Sequence, residues 1–409
     1  MRVVLGRSRK SNVIMTIRRE PEIESVLEKV SRNALSKIPK NNDELWEALI
    51  ESFKMARRGK LATADEFKFE ARWMENLEIL FEDIISGRYR PSRSKAFVTH
   101  VPVDREIFAA PFRDRIVHHL IYGVCGLWWD RRFICNSFSC RDNKGTKVGA
   151  EALQHCMRAA IEADKRDGLS GKGVRVLKGD LTGYFMSLRR NILFEKVSWG
   201  LREQFSDRGY TYKLMAYLWK EVIFDDPIEG VRRVGKKSDW DDLPSSKSLF
   251  CQPPGQGIVI GNLTSQLLSN IMLDALDRHA VYDLKIKYYG RYVDDFFVVA
   301  REREYKRLKY VMREEIPGFV KEYGLTVHPK KQYDQKAIRG VPFLGKKVYA
   351  THMTLGRRVV AHYFQAAREV AEGRRDDVSI TAFMGIGKHV SSERLNQRVF
   401  ESVGWEYKF

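Results

Sequence analysis

Cysteine is scarce in this 409-residue chain. There are five, Cys125, Cys135, Cys140, Cys156 and Cys251, an odd number with no CxxC pair and no matching histidine cluster. Neither a disulfide framework nor a cysteine-based zinc site is suggested, and reduced, structural thiols are expected. Long apolar runs are missing as well: nothing approaches the roughly 18 to 20 uninterrupted apolar residues of a membrane-spanning helix. The opening Met1-Arg2-Val3-Val4-Leu5-Gly6-Arg7 has no apolar core of a secretory signal, so a cytoplasmic protein with no membrane partner is expected. Internal repeats and low-complexity tracts are absent. Negative charge is in deficit, with 53 Asp+Glu against 72 Lys+Arg and a formal net charge of +19. That excess asks for an acidic partner.

What is present is enough apolar material, 44% of residues, to build one large domain or two to three modest ones, which argues against disorder. The basic residues are distributed in patches (Arg88 to Lys95, Arg232 to Lys237, Lys330 with Lys331, Lys346 with Lys347), often beside Tyr or Phe. Such a spread suits a groove that neutralises phosphates with salt-dependent, largely sequence-independent affinity. On charge alone, an ordinary solvated basic surface stays open as the alternative.

Periodicity predicts a helical front end. Asp43 to Arg58 is helix-like and stops at Gly59, and Thr63 with Glu66 three residues later forms the capping pattern of a second helix. In that helix Phe69, Trp73, Leu77, Leu80 and Ile84 share one apolar face, ended by Gly87 and Pro91. From Pro91 the texture is α+β. Val174 to Gly179 is expected as a strand that delivers Asp180, Lys285 to Tyr292 and Phe296 to Ala300 as strands flanking Asp294-Asp295, and Thr264 to His279 as a helix. The charged, turn-rich stretch 225–256 is expected as an inserted loop.

The sharpest local signal is Tyr292-Val293-Asp294-Asp295 inside an apolar β context. Two adjacent carboxylates there repel by about 4 kcal/mol at 4 Å separation and an effective dielectric of 20. In a tight turn they project from its tip, where hard oxygen ligands suit Mg²⁺. Taken alone, such a string is more often a plain hairpin turn. Asp180, 114 positions earlier at the end of an apolar strand, changes the balance. Three carboxylates brought together by one sheet make a site for two metal ions and in-line phosphoryl transfer.

The ordered set Asp180-Leu181-Thr182-Gly183-Tyr184-Phe185, Gly261-Asn262-Leu263-Thr264-Ser265-Gln266, Tyr292-Val293-Asp294-Asp295, Leu325 to Lys331 and Phe343-Leu344-Gly345 resembles motifs A through E of reverse transcriptases. Arg105 to Arg115 and Ser137 to Thr146 look like the fingers motifs of the bacterial branch, so the resemblance covers about residues 90 to 350. Ile260 and Gln266, in the form IGNLTSQ, resemble the enzymes of diversity-generating retroelements and their antiphage-defence relatives.

The resemblance implies an α+β right-hand polymerase: a helical extension over 1–90, fingers and palm with an antiparallel sheet over 91–350, and a short helical thumb over 351–409, similar around Ser379 to Leu395 to that of both groups. About 60 residues follow Gly345, room for a thumb and too few for an appended nuclease. It makes Asp180, Asp294 and Asp295 the metal ligands, with the Leu181 carbonyl beside them, two Mg²⁺ (or Mn²⁺) as cofactors, and Lys331 the proton donor to pyrophosphate. Arg105, Tyr184, Phe185, Gly261 and Gln266 become nucleotide-binding residues, Phe185 as the gate against a 2′-hydroxyl and Arg105 as the grip on the triphosphate. Arg115, Arg141, Tyr292 and Lys346 are implied for nucleic-acid binding. The expected partners are an RNA template, expected to be a dedicated structured non-coding RNA, its cDNA product and dNTPs, with an accessory protein or a second copy of the chain left open. The expected role is cDNA synthesis in antiphage defence; error-prone copying in a diversity-generating retroelement and a non-catalytic RNA-binding scaffold are the alternatives.

Overall fold

In the computed structural model, residues 33–58, 63–100, 103–388, 390–405 and 407 are described. Asn41 caps the first helix, Asn42–Arg57, by accepting the Glu44 amide at 2.9 Å, an oxygen satisfying one of the orphan donors of the first turn. Gly59, expected as its stop, lies outside the described residues. Thr63 caps the next helix as expected, but that helix ends at Glu70 and a new one runs Trp73–Ile85. The break lies at Ala71 and Arg72, where Asn76 Nδ2 donates to the Phe69 carbonyl. It rotates the supposed single face: Phe69, Leu77, Leu80 and Ile84 are buried, whereas Trp73 is partly exposed and stacks on Phe53.

A central four-stranded antiparallel sheet has the order β5-β6-β3-β7, where β3 is Arg175–Gly179, β5 Tyr289–Tyr292, β6 Asp295–Ala300 and β7 Tyr333–Lys336. Strand alternation explains its unbroken apolar runs. Phe296, Val298 and Ala300 join Leu177 in the larger core, which includes the Leu263–Arg278 helix, while Phe297 and Val299 join Val176 in a second core with Leu153 and Met157 of the Thr146–Arg166 helix. With both faces covered, no position of β6 beyond Asp295 faces water, and each buried Phe contributes about 1.5–3 kcal/mol.

Strands β1 (Lys95–Thr99) and β2 (Arg105–Ala109) form an antiparallel pair in a second sheet. The stretch 225–256 is more ordered than the loop expected from its composition. Its β4, Arg232–Arg233, pairs in parallel with β1, and a helical turn, Ser238–Asp241, and two 3₁₀ turns follow. Tertiary pairing overrides its turn-rich composition here. A third sheet, β10-β9-β8, comprises β8 Val341–Phe343, β9 Lys346–Val348 and β10 Met353–Leu355. Three helices, Arg357–Ala371, Val378–Gly387 and Glu393–Glu401, close around Tyr363, Ala366, Ala367, Ile380 and Val399. No helix among the described residues is long and apolar enough to cross a membrane. All five cysteines are free; Cys125 and Cys156 are buried, and Cys135, Cys140 and Cys251 are exposed.

Candidate active site

The register of β3 against β6 assembles the acidic cluster. Gly179 pairs with Phe296, so one further step along each strand brings Asp180 level with Asp295. Position 179 has to be glycine, because a Cβ there would lie 2.3 Å from the Phe296 ring. Tyr292 pairs with Asp295, which leaves Val293 and Asp294 as a two-residue hairpin turn. Val293 sits at φ 53°, a left-handed conformation that costs a β-branched residue on the order of 1–3 kcal/mol.

The turn is held from beneath by Arg291, which is fully buried and donates from Nη1 to the Val293 carbonyl at 2.8 Å. Its Nε and Nη2 grip both oxygens of the equally buried Asp277, at 2.8 and 2.7 Å, and Nη2 also reaches Ser137 Oγ at 3.0 Å. Tyr289 donates to the same Asp277 at 2.8 Å. Burial opposes the charge on Arg291, but Asp277 outweighs it and keeps the guanidinium protonated. Sequence patterning missed this anchor, although an arginine inside an apolar strand and an aspartate among buried positions of a helix are the signals that could have found it.

Electrostatics mark Asp294 as the stressed member of the cluster. Burial, then the negative charges of Asp180 and Asp295, push its carboxyl up to about 6, with Lys331 opposing. Burial raises Asp295 as well, and Lys178 counters it. Two lysines supply positive charge: Lys331 Nζ lies 2.8 Å from Asp180 Oδ1, and Lys178 Nζ 3.2 Å from Asp295 Oδ1. Lys178 was not singled out from the sequence, yet it precedes Asp180 by two residues on a strand and so shares its face. The backbone joins in. Thr182 N donates to the Thr326 carbonyl and His328 N to the Asp180 carbonyl, at 2.8 and 2.7 Å. These bonds flank the Leu181–Val327 bridge, making it a non-hydrogen-bonded pair whose Leu181 carbonyl turns away from Val327.

Other expected residues divide into those that stay exposed or half-buried and those buried or engaged in structural contacts. Arg105 is exposed on β2, and its charge acts on the Tyr292 hydroxyl, which burial raises and Arg105 lowers. Phe185 is half-buried, with its ring edge-on to Tyr184 at 5.4 Å. Gly261 has φ 134°, and a Cβ there would lie 2.6 Å from the Phe108 carbonyl; Gln266 is exposed in the first turn of the Leu263–Arg278 helix. Tyr184 instead points into the core and donates to the Ser269 carbonyl at 2.7 Å. Arg115 holds the Ala56 carbonyl and Glu66 of the helical front end, and Arg141 is engaged with Asp130 and the carbonyls of Ile134 and Ser137. Lys346 is buried, which lowers its ammonium pKa.

Among the described residues, no group of three or more His, Cys, Asp or Glu side chains is arranged to close around a metal ion. The chemistry of the donor set nevertheless fits a hard divalent cation. Mutually repelling carboxylates, two of them paired with flexible lysines, gain most from a compact positive charge.

No protein-family model matches the chain. Among curated proteins it is similar to "Protein YkfC" of Escherichia coli (strain K12), 25% identical over 214 residues, which cover 51% of this chain and 46% of that protein. The chain thus matches a little under half the length of this relative. Among solved structures it is similar to apo telomerase from Candida tropicalis, at a TM-score of 0.47 and 12% identity, over 81% of this chain and 66% of that one. Telomerase from Candida albicans, solved with a TWJ fragment of telomeric RNA, gives a TM-score of 0.45 and 13% identity, over 83% and 59% of the two chains.

Proposed function

We propose that this chain is an RNA-directed DNA polymerase that makes cDNA from an RNA template by metal-assisted phosphoryl transfer. The observation that carries the reading is the β3–β6 register, which sets Asp180 level with Asp295 and beside the strained turn bearing Asp294. In this reading residues 1–90 are an N-terminal extension, helical within its described part, 91–350 fingers and palm, and 351–409 the thumb. Asp180 and Asp294 would hold two Mg²⁺ ions, or Mn²⁺ in their place, with Asp295 and the Leu181 carbonyl in support. When bound, the ions supply the charge that stabilises a phosphoryl transfer. The chain's own residues do the rest. Arg105 grips the triphosphate, Phe185 excludes a 2′-hydroxyl, Gly261 admits the nucleotide closely, and Lys331 moves from Asp180 to give a proton to the departing pyrophosphate. Gln266 lines the same pocket, and the basic surface binds the nucleic acid. The biological role we infer is antiphage defence with a dedicated non-coding RNA as template, in the cytoplasm.

The test is recovery of the wild-type protein and Asp294→Ala from expressing cells, followed by sequencing of the RNA and DNA bound to each. One RNA with both proteins, and complementary DNA only with the wild type, is the expected outcome. A repetitive or locus-specific product supports defence, and an adenine-mutagenised copy of a coding repeat supports diversity generation instead. RNA without any Asp294-dependent DNA would replace the polymerase reading with that of an RNA scaffold.

A further inference from the structure

The segment 225–256 is fastened to β2 by one carboxylate. Glu106 is fully buried, and among the described residues the three hydrogen bonds to its carboxylate all come from that segment. Trp240 Nε1 and Ser248 Oγ donate to Oε1 at 2.9 and 3.0 Å, and the Leu249 amide donates to Oε2 at 2.6 Å. No cation is paired with it among the described residues. A buried carboxylate balanced only by neutral donors is costly to keep and exacting in geometry, so it fixes the two elements it joins.

Both ends of this fastening adjoin residues proposed to bind the nucleotide. Along β2, strand alternation puts Arg105 on the exposed face while Glu106 points inward, so holding Glu106 sets the direction of Arg105. Two residues on, the Phe108 amide donates to the Ile260 carbonyl at 3.0 Å, next to Gly261. At its other end the segment grips the turn that carries Phe185. Gln256 Nε2 donates to the Met186 carbonyl at 3.3 Å, and a Cβ on Gly183 would lie 2.6 Å from the Ser246 carbonyl. Just beyond, the Gly257 and Ile258 amides donate to the Leu188 and Phe185 carbonyls, at 2.8 and 3.0 Å.

We propose that the segment 225–256 braces the nucleotide pocket, with Glu106 a positioning residue that sets Arg105 on one wall and Phe185 on the other for the incoming deoxynucleoside triphosphate. The inference rests on the polymerase reading above. It assigns to the segment the affinity for the nucleotide and leaves the rate of the chemical step to the carboxylates.

The experiment uses the full chain as wild type, Glu106→Gln and Trp240→Phe. Glu106→Gln turns an acceptor oxygen into an amide that faces a donor, while Trp240→Phe keeps an aromatic ring, smaller than the indole, and removes one donor, so it tests the brace even where Glu106→Gln fails to fold. Single-nucleotide incorporation on an RNA template with a DNA primer gives KM and kcat, and hydrogen exchange of the free proteins reports on 105–109 and 245–250. Both variants are expected to raise the KM for dNTP about five- to thirtyfold, the effect of weakening hydrogen bonds to a charged group. kcat is expected to stay within about twofold, primer–template affinity to be unchanged, and exchange in both segments to quicken. Faster exchange with an unchanged KM would leave the contact merely structural and overturn the proposal, as would exchange that does not change. A fall in kcat with an unaltered KM would also overturn it. A wild type that incorporates no nucleotide brings down the polymerase reading itself, an outcome distinct from an active wild type whose variants keep its KM.

Discussion

Asp294 shows how a single residue reports a site. Its carboxyl is pushed up to about 6 by burial and by Asp180 and Asp295, so its ionised form is disfavoured by the fold. A raised acid contributes stability that is present below the unfolded value near 3.9 and lost as pH rises through about 6. At pH 7.5 without divalent cations, Asp294→Asn is therefore expected to be more stable than wild type by about 1–2 kcal/mol, and the advantage should vanish towards pH 4. Urea unfolding of both proteins in EDTA at the two pH values measures this, and an advantage that does not shrink on acidification would contradict the assigned cause. The three carboxylates were legible in the sequence because acidic residues bordering apolar strands are anomalous. Lys178 was not, since a lysine in a strand is ordinary until its partner, Asp295, is known.

Among the elements, the hairpin and the Leu263–Arg278 helix depend on each other through Arg291 and Asp277. Arg291→Met leaves a buried, unpaired Asp277, which is expected to cost about 3–5 kcal/mol. The double variant Arg291→Met with Asp277→Leu should recover most of that stability, because an apolar pair can replace a buried ion pair. On the proposed reading, nucleotide incorporation should stay low in the double variant, since nothing then holds the Val293 carbonyl and the strained turn relaxes. Denaturant midpoints and nucleotide incorporation, measured together, separate the two effects; full activity in the stable double variant would remove the positioning role of Arg291. Helix and strand placement was mostly legible at this scale, because period-2 and period-3.6 patterns are local. The division of the second helix at Ala71 and Arg72 was not, nor was the strand within 225–256, because pairing with β1 is a long-range event that composition does not encode.

The whole molecule carries a formal net charge of +19, and binding of nucleic acid is expected to weaken steeply with salt. Neutralising about six phosphates would lower affinity by about a thousandfold between 50 and 200 mM monovalent salt. Asp294→Ala should show the same slope on a log–log plot of affinity against salt, since it alters the acidic cluster and leaves the basic surface in place. A flat dependence would argue that the excess charge is only a solvated surface. The sequence by itself determined the α+β texture, the shortage of disulfide and membrane-spanning material, the basic balance and the three carboxylates, all of which follow from composition and short-range periodicity. Only the tertiary structure decided which groups meet. It turned Tyr184 inward to Ser269, engaged Arg115 and Arg141 in structural contacts, joined Glu106 to Trp240, Ser248 and Leu249, and placed Arg291 on Asp277. The physical reason is that hydrogen bonds and ion pairs between residues far apart in the chain depend on strand register and on packing across the core, and neither is written in any local stretch of residues.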